Sequence, residues 1–260
     1  LSHLSLKASY SLTADRGPES VTNSTAILSA YKPWRPTAST GEMGLQVVDL
    51  GNSDLTYEKK HELNIGVDVG LLDNRISVAV DWYQRNNYDL IGPVSTQGAG
   101  GEILKMGNIA EMKSNGVEFT LSTRNIQTKD FSWTTDFIYS HTHNEITKLK
   151  SNKTLMGLVS GYGFAREGYP VRSIFSIPFQ GLNKDGIPTF LNQDGQITTT
   201  DINFQESKKL DFLKYSGAAD PTDLGSFGNT FGYKGFKLNL FITYSFGNVV
   251  RLDNVFSSSY

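Results

Sequence analysis

Cysteine is absent from this 260-residue chain, which removes disulfide scaffolds, thiolate metal sites and a cysteine nucleophile. Histidine is scarce, with four residues at 3, 61, 141 and 143, so a three-His metal centre is not expected. Neither sign of charge dominates. The 24 Lys+Arg against 26 Asp+Glu leave a formal net charge of −2, which takes away the electrostatic case for nucleic acid. No apolar run approaches the roughly 18 residues that a transmembrane helix needs. The opening Leu1-Ser-His-Leu lacks an initiator Met, a basic segment and an apolar core, so no signal peptide is expected and the chain reads as a mature or internal piece. There is no Ser-His-Asp spacing, phosphate loop or dinucleotide fingerprint, so the chain is not expected to be an enzyme or to hold a cofactor. What is plentiful is Gly (25 residues) and aromatics (12%), beside a modest hydrophobic fraction of 38%. That mixture suits a β-protein with one polar face.

Period-2 alternation is the dominant pattern and predicts an all-β chain. Strands are expected near 4–12, 61–71, 76–86, 116–124, 131–143, 225–233 and 236–247. Their apolar sets include Leu63, Ile65 and Val67; Val78 and Val80; Phe119 and Leu121; Phe137; and Leu238, Leu240 and Ile242. The interleaved polar sets carry Glu62, Asn64, Asp68, Asp81, Glu118 and Asp136. A soluble sandwich of the cell surface, acting as a binding module, shows the same alternation. So does an enzyme that pairs the polar-face carboxylates.

The connections discriminate better. Three are short, at 72–75, 125–130 and 234–235, and three are long, at about 13–56, 87–115 and 144–223. Short and long alternate strictly, whereas compact domains have a median connection of roughly 4–6 residues. Outer-membrane barrels have this asymmetry, with tight periplasmic turns and long extracellular loops. Phe131, Trp133, Tyr233 and Phe236 sit beside the short turns, and Tyr10, Trp82, Tyr139, Tyr244 and Phe246 lie toward the long loops. The eight residue-to-residue steps from Phe236 to Tyr244 would climb about 21 Å at a tilt near 40°, close to the apolar band of such barrels. On this reading the apolar sets face lipid and the interleaved polar sets, Glu62 to Asp136, line a wet lumen. Seven strands cannot close a bacterial barrel, so residues 1–260 are expected to be part of a larger one.

Several stretches resemble the SusC/RagA family of TonB-dependent outer-membrane transporters. Leu4 to Gly17 (LSLKASYSLTADRG) resembles its LKLRASYGxTG strand, and Asn52 to Lys59 (NSDLTYEK) its NPDLKWEK. Ile65 to Gly70 with Asp73 to Ile76 resembles NIGLDFGLFNNRL, and Gly107 to Glu118 (GNIAEMKSNGVE) resembles GNxGEMxNKGxE. Glu167 to Ser173 (EGYPVRS) resembles EGxPxGSFYG, and Ser245 to Asn248 (SFGN) a late strand end. Thr56, Tyr57, Ser114 and Arg172 depart from those patterns. The resemblance implies a barrel of about 22 strands around an N-terminal plug, of which this chain supplies late strands and extracellular loops. It implies an outer-membrane location in Bacteroidota-type Gram-negative bacteria and import of oligosaccharides or peptides. It also implies a SusD-like surface lipoprotein as lid, and energy from TonB through a plug domain absent here.

Further groupings have plain alternatives. Asn192 to Ile197 with Asp201 has part of a calcium-loop pattern, but Phe190 stands where the first ligand belongs, which favours a polar turn. Asn183 to Gly186 reads as another turn, with a hairpin near Gly186 to Gly195. His141 and His143 share a face without a third ligand. In the long loops Tyr31, Trp34, Tyr162, Phe164 and Tyr169 are candidates to stack on a sugar ring or peptide side chain, or to pack loop on loop.

Overall fold

The computed structural model describes residues 1–17, 25–32, 43–49, 51–95, 104–150, 153–160 and 165–252. The frame is one antiparallel sheet built from β1 (His3–Asp15), β4 (Glu58–Leu71), β5 (Ile76–Ser95), β6 (Leu104–Gln127), β7 (Phe131–Leu149), β13 (Asp223–Tyr233) and β14 (Phe236–Phe246). Their order in space is their order in the chain, a seven-stranded meander edged by β1 and β14.

The short turns need unusual backbone, and the residues suit it. Leu72, Asp73 and Asn74 have φ of 53°, 54° and 57°, and Asp and Asn accept this left-handed region more readily than most residues. Lys234 (φ 44°) and Gly235 (φ 91°) make the two-residue turn whose twist matches a hairpin. The Arg75 guanidinium reaches over to donate to the Asn125 carbonyl (2.9 Å), tying the first turn to the neighbouring strand.

Register puts like with like. Leu6, Val67, Val80, Phe119 and Tyr139 form one cross-strand row, and Leu4, Val69, Val78, Leu121, Phe137, Phe227 and Ile242 the next. Phe131, Tyr233 and Phe236 close the face at the short-turn end. Every one of Leu63, Ile65, Val67, Val78, Val80, Phe119, Leu121, Phe137, Leu238, Leu240 and Ile242 lies on this apolar face. Glu62, Asn64, Asp68, Asp81, Glu118 and Asp136 all lie on the other. The apolar face is uncovered: Leu6 is 77% exposed and Leu240 53%.

The long connections differ from the expectation of plain loops. Most of 87–115 is strand, because β5 continues through Ser95 and β6 begins at Leu104. The alternation fails there for a physical reason. A bulge between Asn87 and Leu90, with Asp89 at φ 57°, shifts the register, and polar residues occupy both faces. Within 13–56, β2 (Ile27–Tyr31) and β3 (Gly44–Asp49) form a hairpin. The connection at 144–223 begins with the end of β7. It then folds into a lobe of α1 (Leu155–Val159), β8 (Ser173–Ser176), β9 (Phe179–Leu182), β10 (Pro188–Leu191), β11 (Ile197–Thr198) and β12 (Lys214–Ala218). β9, β10 and β11 make a small sheet, and β8 pairs with β12.

The lobe holds the dry core. Leu155, Leu158, Phe175, Leu210 and Leu213 pack together, with Val159, Tyr169, Ile177, Ile202 and Phe212 around them. Phe175 and Leu155 are fully buried.

Candidate functional site

The polar face of the sheet satisfies itself strand by strand. Lys7 Nζ lies 2.6 Å from Asp68 Oδ2. Lys60 and Arg85 converge on Glu62 at 3.0 and 3.1 Å, and the Asn64 amide donates to the same carboxylate. Arg85 is stacked over the Tyr83 ring, 4.1 Å from its centroid. The Tyr83 hydroxyl is 2.7 Å from that of Thr142, and its ring fills the space a Cβ would take at Gly116. The Ser122 hydroxyl donates to Asp136 (2.7 Å). Asp81 and Glu118 stand directly opposite each other in the register, an arrangement that like charges disfavour without a counter-charge. This is a charged wall whose groups are mostly engaged with one another.

Above the wall, two motifs that are far apart in the chain are joined. The Asn108 side chain accepts from the Thr56 N–H (2.8 Å) and donates to the carbonyls of Thr56 and Asp89 (2.9 and 2.5 Å). Asn52 Nδ2 donates to the Met106 carbonyl (2.9 Å), and Glu58 accepts from the Ile91 N–H (2.8 Å). The strap at 52–58 is thereby clamped to β5 and β6. Both asparagines stand in the quoted motifs, but nothing in either motif alone says that they meet.

The strip at 167–173 covers the free upper edge of β7, as an unpaired edge requires. Ile146 exchanges backbone bonds with Gly168 and Tyr169, Val171 N–H donates to Asn144 Oδ1, and buried Ser173 donates to the Pro170 carbonyl. The segment after β14 holds the lobe from the other side. Val249 N–H donates to the Ala218 carbonyl (2.8 Å) and Arg251 to that of Phe175 (2.7 Å).

The loop aromatics have separate fates. Tyr169 packs edge-on against Phe175 with ring centroids 5.0 Å apart, and Arg166 covers both rings. Tyr169 therefore belongs to the lobe core. Tyr31, on β2, is 47% exposed. Trp34, Tyr162 and Phe164 fall outside the described residues.

In the two N-x-D-G turns, Asn183 Oδ1 accepts from the N–H groups of Asp185 and Ile187, and Asn192 Oδ1 from those of Asp194 and Gln196. Gly186 and Gly195 both sit at φ 75°, where glycine is favoured. The asparagine oxygens face peptide donors, and Lys209 beside Asp194 holds that carboxyl below its usual range. Among the described residues no group of three or more His, Cys, Asp or Glu could hold a metal ion. His141 pairs with Asp223 (2.9 Å), which also accepts from the Tyr139 hydroxyl (2.6 Å).

The apolar face carries a polar chain that its alternation conceals. Asn229 Oδ1 accepts from Trp133 Nε1 (2.8 Å) and the Thr135 hydroxyl (2.7 Å). Asn125 donates to Thr135 (2.6 Å), and Thr123 donates to Asn125 (2.9 Å). The bulge between Arg124 and Ile126 brings Asn125 into this chain.

A family model described as TonB dependent receptor-like, beta-barrel, matches residues 2–256. The chain belongs to this TonB-dependent receptor family. TonB-dependent receptor P3 of Formosa agariphila is 28% identical over 233 residues, covering 80% of this chain and 22% of that receptor. TonB-dependent receptor SusC of Bacteroides thetaiotaomicron is 36% identical over 99 residues, 38% of this chain and 10% of SusC. The RagAB peptide importer in its 'closed-closed' state superposes with a TM-score of 0.74 at 28% identity, over 94% of this chain and 27% of the matched one. The 'open-open' state gives 0.71 at 26% identity, over 94% of this chain and 26% of the matched one. The sheet is accordingly part of a larger transmembrane β-barrel of the outer membrane, of SusC/RagA type, in a family of transporters.

Proposed function

We propose that this chain forms late wall strands and an extracellular lobe of an active importer for oligosaccharides or peptides. The apolar face meets lipid, and the charged face lines the lumen. A SusD-like surface lipoprotein lies over the mouth and touches the lobe, and TonB acts through a plug outside these residues. The host is a Gram-negative bacterium of the Bacteroidota type. The observation that carries the reading is the contrast between the faces: ion pairs on one side, bare aliphatic and aromatic side chains on the other. Binding residues concentrate on loops that a rigid scaffold holds. The lobe and exposed Tyr31 on the β2–β3 hairpin are thus the first places to look for ligand and lid contacts, with Trp34, Tyr162 and Phe164 as further candidates.

The test is deletion of residues 150–215 in the full transporter, with barrel assembly verified by surface labelling. Uptake of labelled oligosaccharides and of labelled peptides, and capture of the lipoprotein, are then measured. Loss of both uptake and lid capture is expected. Unchanged transport in a correctly assembled deletion sinks the proposed role of the lobe. A cooperative, monodisperse melt of the isolated 260-residue chain in plain buffer would instead favour a soluble binding module.

A further inference from the structure

The lobe touches the wall on two sides. On the β7 side the strip at 167–173 runs beside Ile146 and Asn144. On the other side the chain continues past β14 as a short segment with an alternating pattern. Val249 and Arg251 are half-buried, whereas Val250 and Leu252 are 73% and 84% exposed.

The lobe is shaped to receive the two half-buried side chains. Val249 N–H donates to the carbonyl of buried Ala218 (2.8 Å). Its isopropyl group fills the room that Gly217 leaves, since a Cβ at Gly217 would lie 2.9 and 3.0 Å from the two Val249 γ-carbons. Arg251 reaches deeper. Its Nη2 donates to the carbonyl of Phe175 (2.7 Å), at the centre of the lobe core, and its Nε is buried without a partner. Among the described residues no acid pairs with this guanidinium, so the carbonyl is its anchor. A hydrogen bond from a charged donor is stronger than a neutral one.

The foot of the segment is fitted as closely. Gly247 lets the chain leaving β14 pass over the start of β13, because a side chain there would run into the Thr222 hydroxyl. That hydroxyl donates to Asp223 (2.6 Å), which also holds Tyr139 and His141 of β7. Ala219 N–H donates to the Arg172 carbonyl (2.7 Å), so the two sides of the attachment meet at 218–219.

We propose that Gly247 to Arg251 is a strap that fixes the lobe in one orientation on the wall, with Arg251 as its pin and Gly217 as its seat. A hinge on either side is blocked. Swinging the lobe away from β14 breaks the bonds of Val249 and Arg251, and swinging it away from β7 breaks those of Ile146 and Asn144. The lobe therefore turns with the wall as a fixed part of the rim. Any opening or closing at this end of the sheet falls to other segments.

The test is made on the full transporter by amide exchange and by double electron–electron resonance. Neither reads transport, so the outcomes stand apart from the proposed function. Exchange at Val249, relative to the intrinsic rate of an unprotected amide, should be slow in the native protein. Arg251→Ala should raise it about tenfold, the change from losing one charge-assisted hydrogen bond. Leu158, whose N–H donates to Thr154 inside the lobe, should keep its protection. Arg251→Lys, which retains a cation and a donor, should restore most of the effect. Spin labels at Lys184→Cys in the lobe and Lys129→Cys at a short turn should give one narrow distance distribution, broadened in the Val249→Ala, Arg251→Ala double variant. A broad or two-peaked distribution with native Val249 and Arg251 overturns the fixed orientation. Fast native exchange at Val249 overturns the strap, and neither result depends on a strap variant assembling. Unchanged exchange and distance in the variants show that the lobe is fixed without Arg251 and overturn the pin. Loss of protection at Leu158 together with Val249 makes Arg251 a part of the lobe core and overturns the strap as well.

Discussion

The wall and the lobe use the same residue types to opposite ends. In the wall, Leu6 and Leu240 are 77% and 53% exposed; in the lobe, Leu155 and Phe175 are fully buried. The wall is held by strand pairing and by polar contacts on one face, and its apolar surface is uncovered, the surface proposed above to meet lipid. The lobe instead buries its apolar side chains against each other and satisfies its polar turns internally. On the proposed reading one part depends on the solvent that the bilayer provides, and the other carries its own core. The lobe should therefore respond to mutation like a small soluble domain, and the wall like a membrane strand.

The largest expected effect separates the two. Phe175→Ala removes the centre of the lobe core and should cost about 3–5 kcal/mol of lobe stability, the range for burying and then deleting a large aromatic side chain. Limited proteolysis and hydrogen exchange over 153–218 in the full transporter should show the lobe opening while the barrel keeps its heat-modifiable mobility. If the wall melts together with the lobe, the two are one cooperative unit and the contrast is wrong.

The next effect belongs to the wall. Val67→Arg, Phe119→Arg or Leu240→Arg should destabilise by about 2–4 kcal/mol near the midplane, whereas Asn64→Arg and Asn239→Arg should be mild. Bilayer refolding of the full transporter measures both. Equal penalties on the two faces would mean that neither face is in lipid.

The sequence makes the wall legible for the same reason that arginine should be so damaging there. A strand with lipid on one side and water on the other must alternate, so Leu63 to Leu71 and Phe236 to Phe246 announce themselves. Once β5 and β6 pass Trp82, polar residues occupy both faces. The alternation dissolves at Asn86, Asn87 and Asp89, and those strands read as loop although pairing continues to Ser95. The lobe hides for another reason. Its core residues Leu155, Phe175 and Leu213 are brought together from positions far apart in the chain, and no local period records that. As an aromatic of a long connection Tyr169 suits either ligand stacking or loop-on-loop packing, and only its neighbours in space, Phe175 and Tyr215, place it in the lobe. The N-x-D-G turns were readable, since their hydrogen bonds run within a few residues.

A smaller effect tests whether those turns hold the lobe or merely end its strands. Asn192 is fully buried, accepts two peptide N–H groups and donates to the Asp201 carbonyl (3.2 Å). Asn192→Ala leaves these groups unsatisfied and should cost about 1–3 kcal/mol. Asn183→Ala, at a more open turn, should cost less. Hydrogen exchange at Asp194 and Gln196 reads the difference. Equal losses at both sites would show that burial is not what gives Asn192 its weight.

The smallest effect sharpens the contrast through pH. The Glu206 carboxylate accepts from the backbone N–H groups of Lys208, Ser207 and Lys209 at 2.7, 2.9 and 3.1 Å, and these bonds, that of Lys208 first, lower its pKa from the ordinary value. The backbone carbonyl of the same residue accepts from Leu155 N–H, so this turn seats the start of α1. A carboxyl whose folded pKa is depressed stabilises the fold above its unfolded value and loses that contribution as pH falls through the folded one. The turn should therefore be fully held at neutral pH and loosen below the ordinary glutamate range. The wall strands, whose pairing does not pass through Glu206, should not follow. Amide exchange at Leu155 and Met156, each rate taken relative to the intrinsic rate of an unprotected amide at the same pH and compared between pH 7 and pH 3, should rise in the native protein. In Glu206→Gln it should start higher and change less. The same pH response in both proteins would mean that another group titrates there and that Glu206 does not anchor the helix.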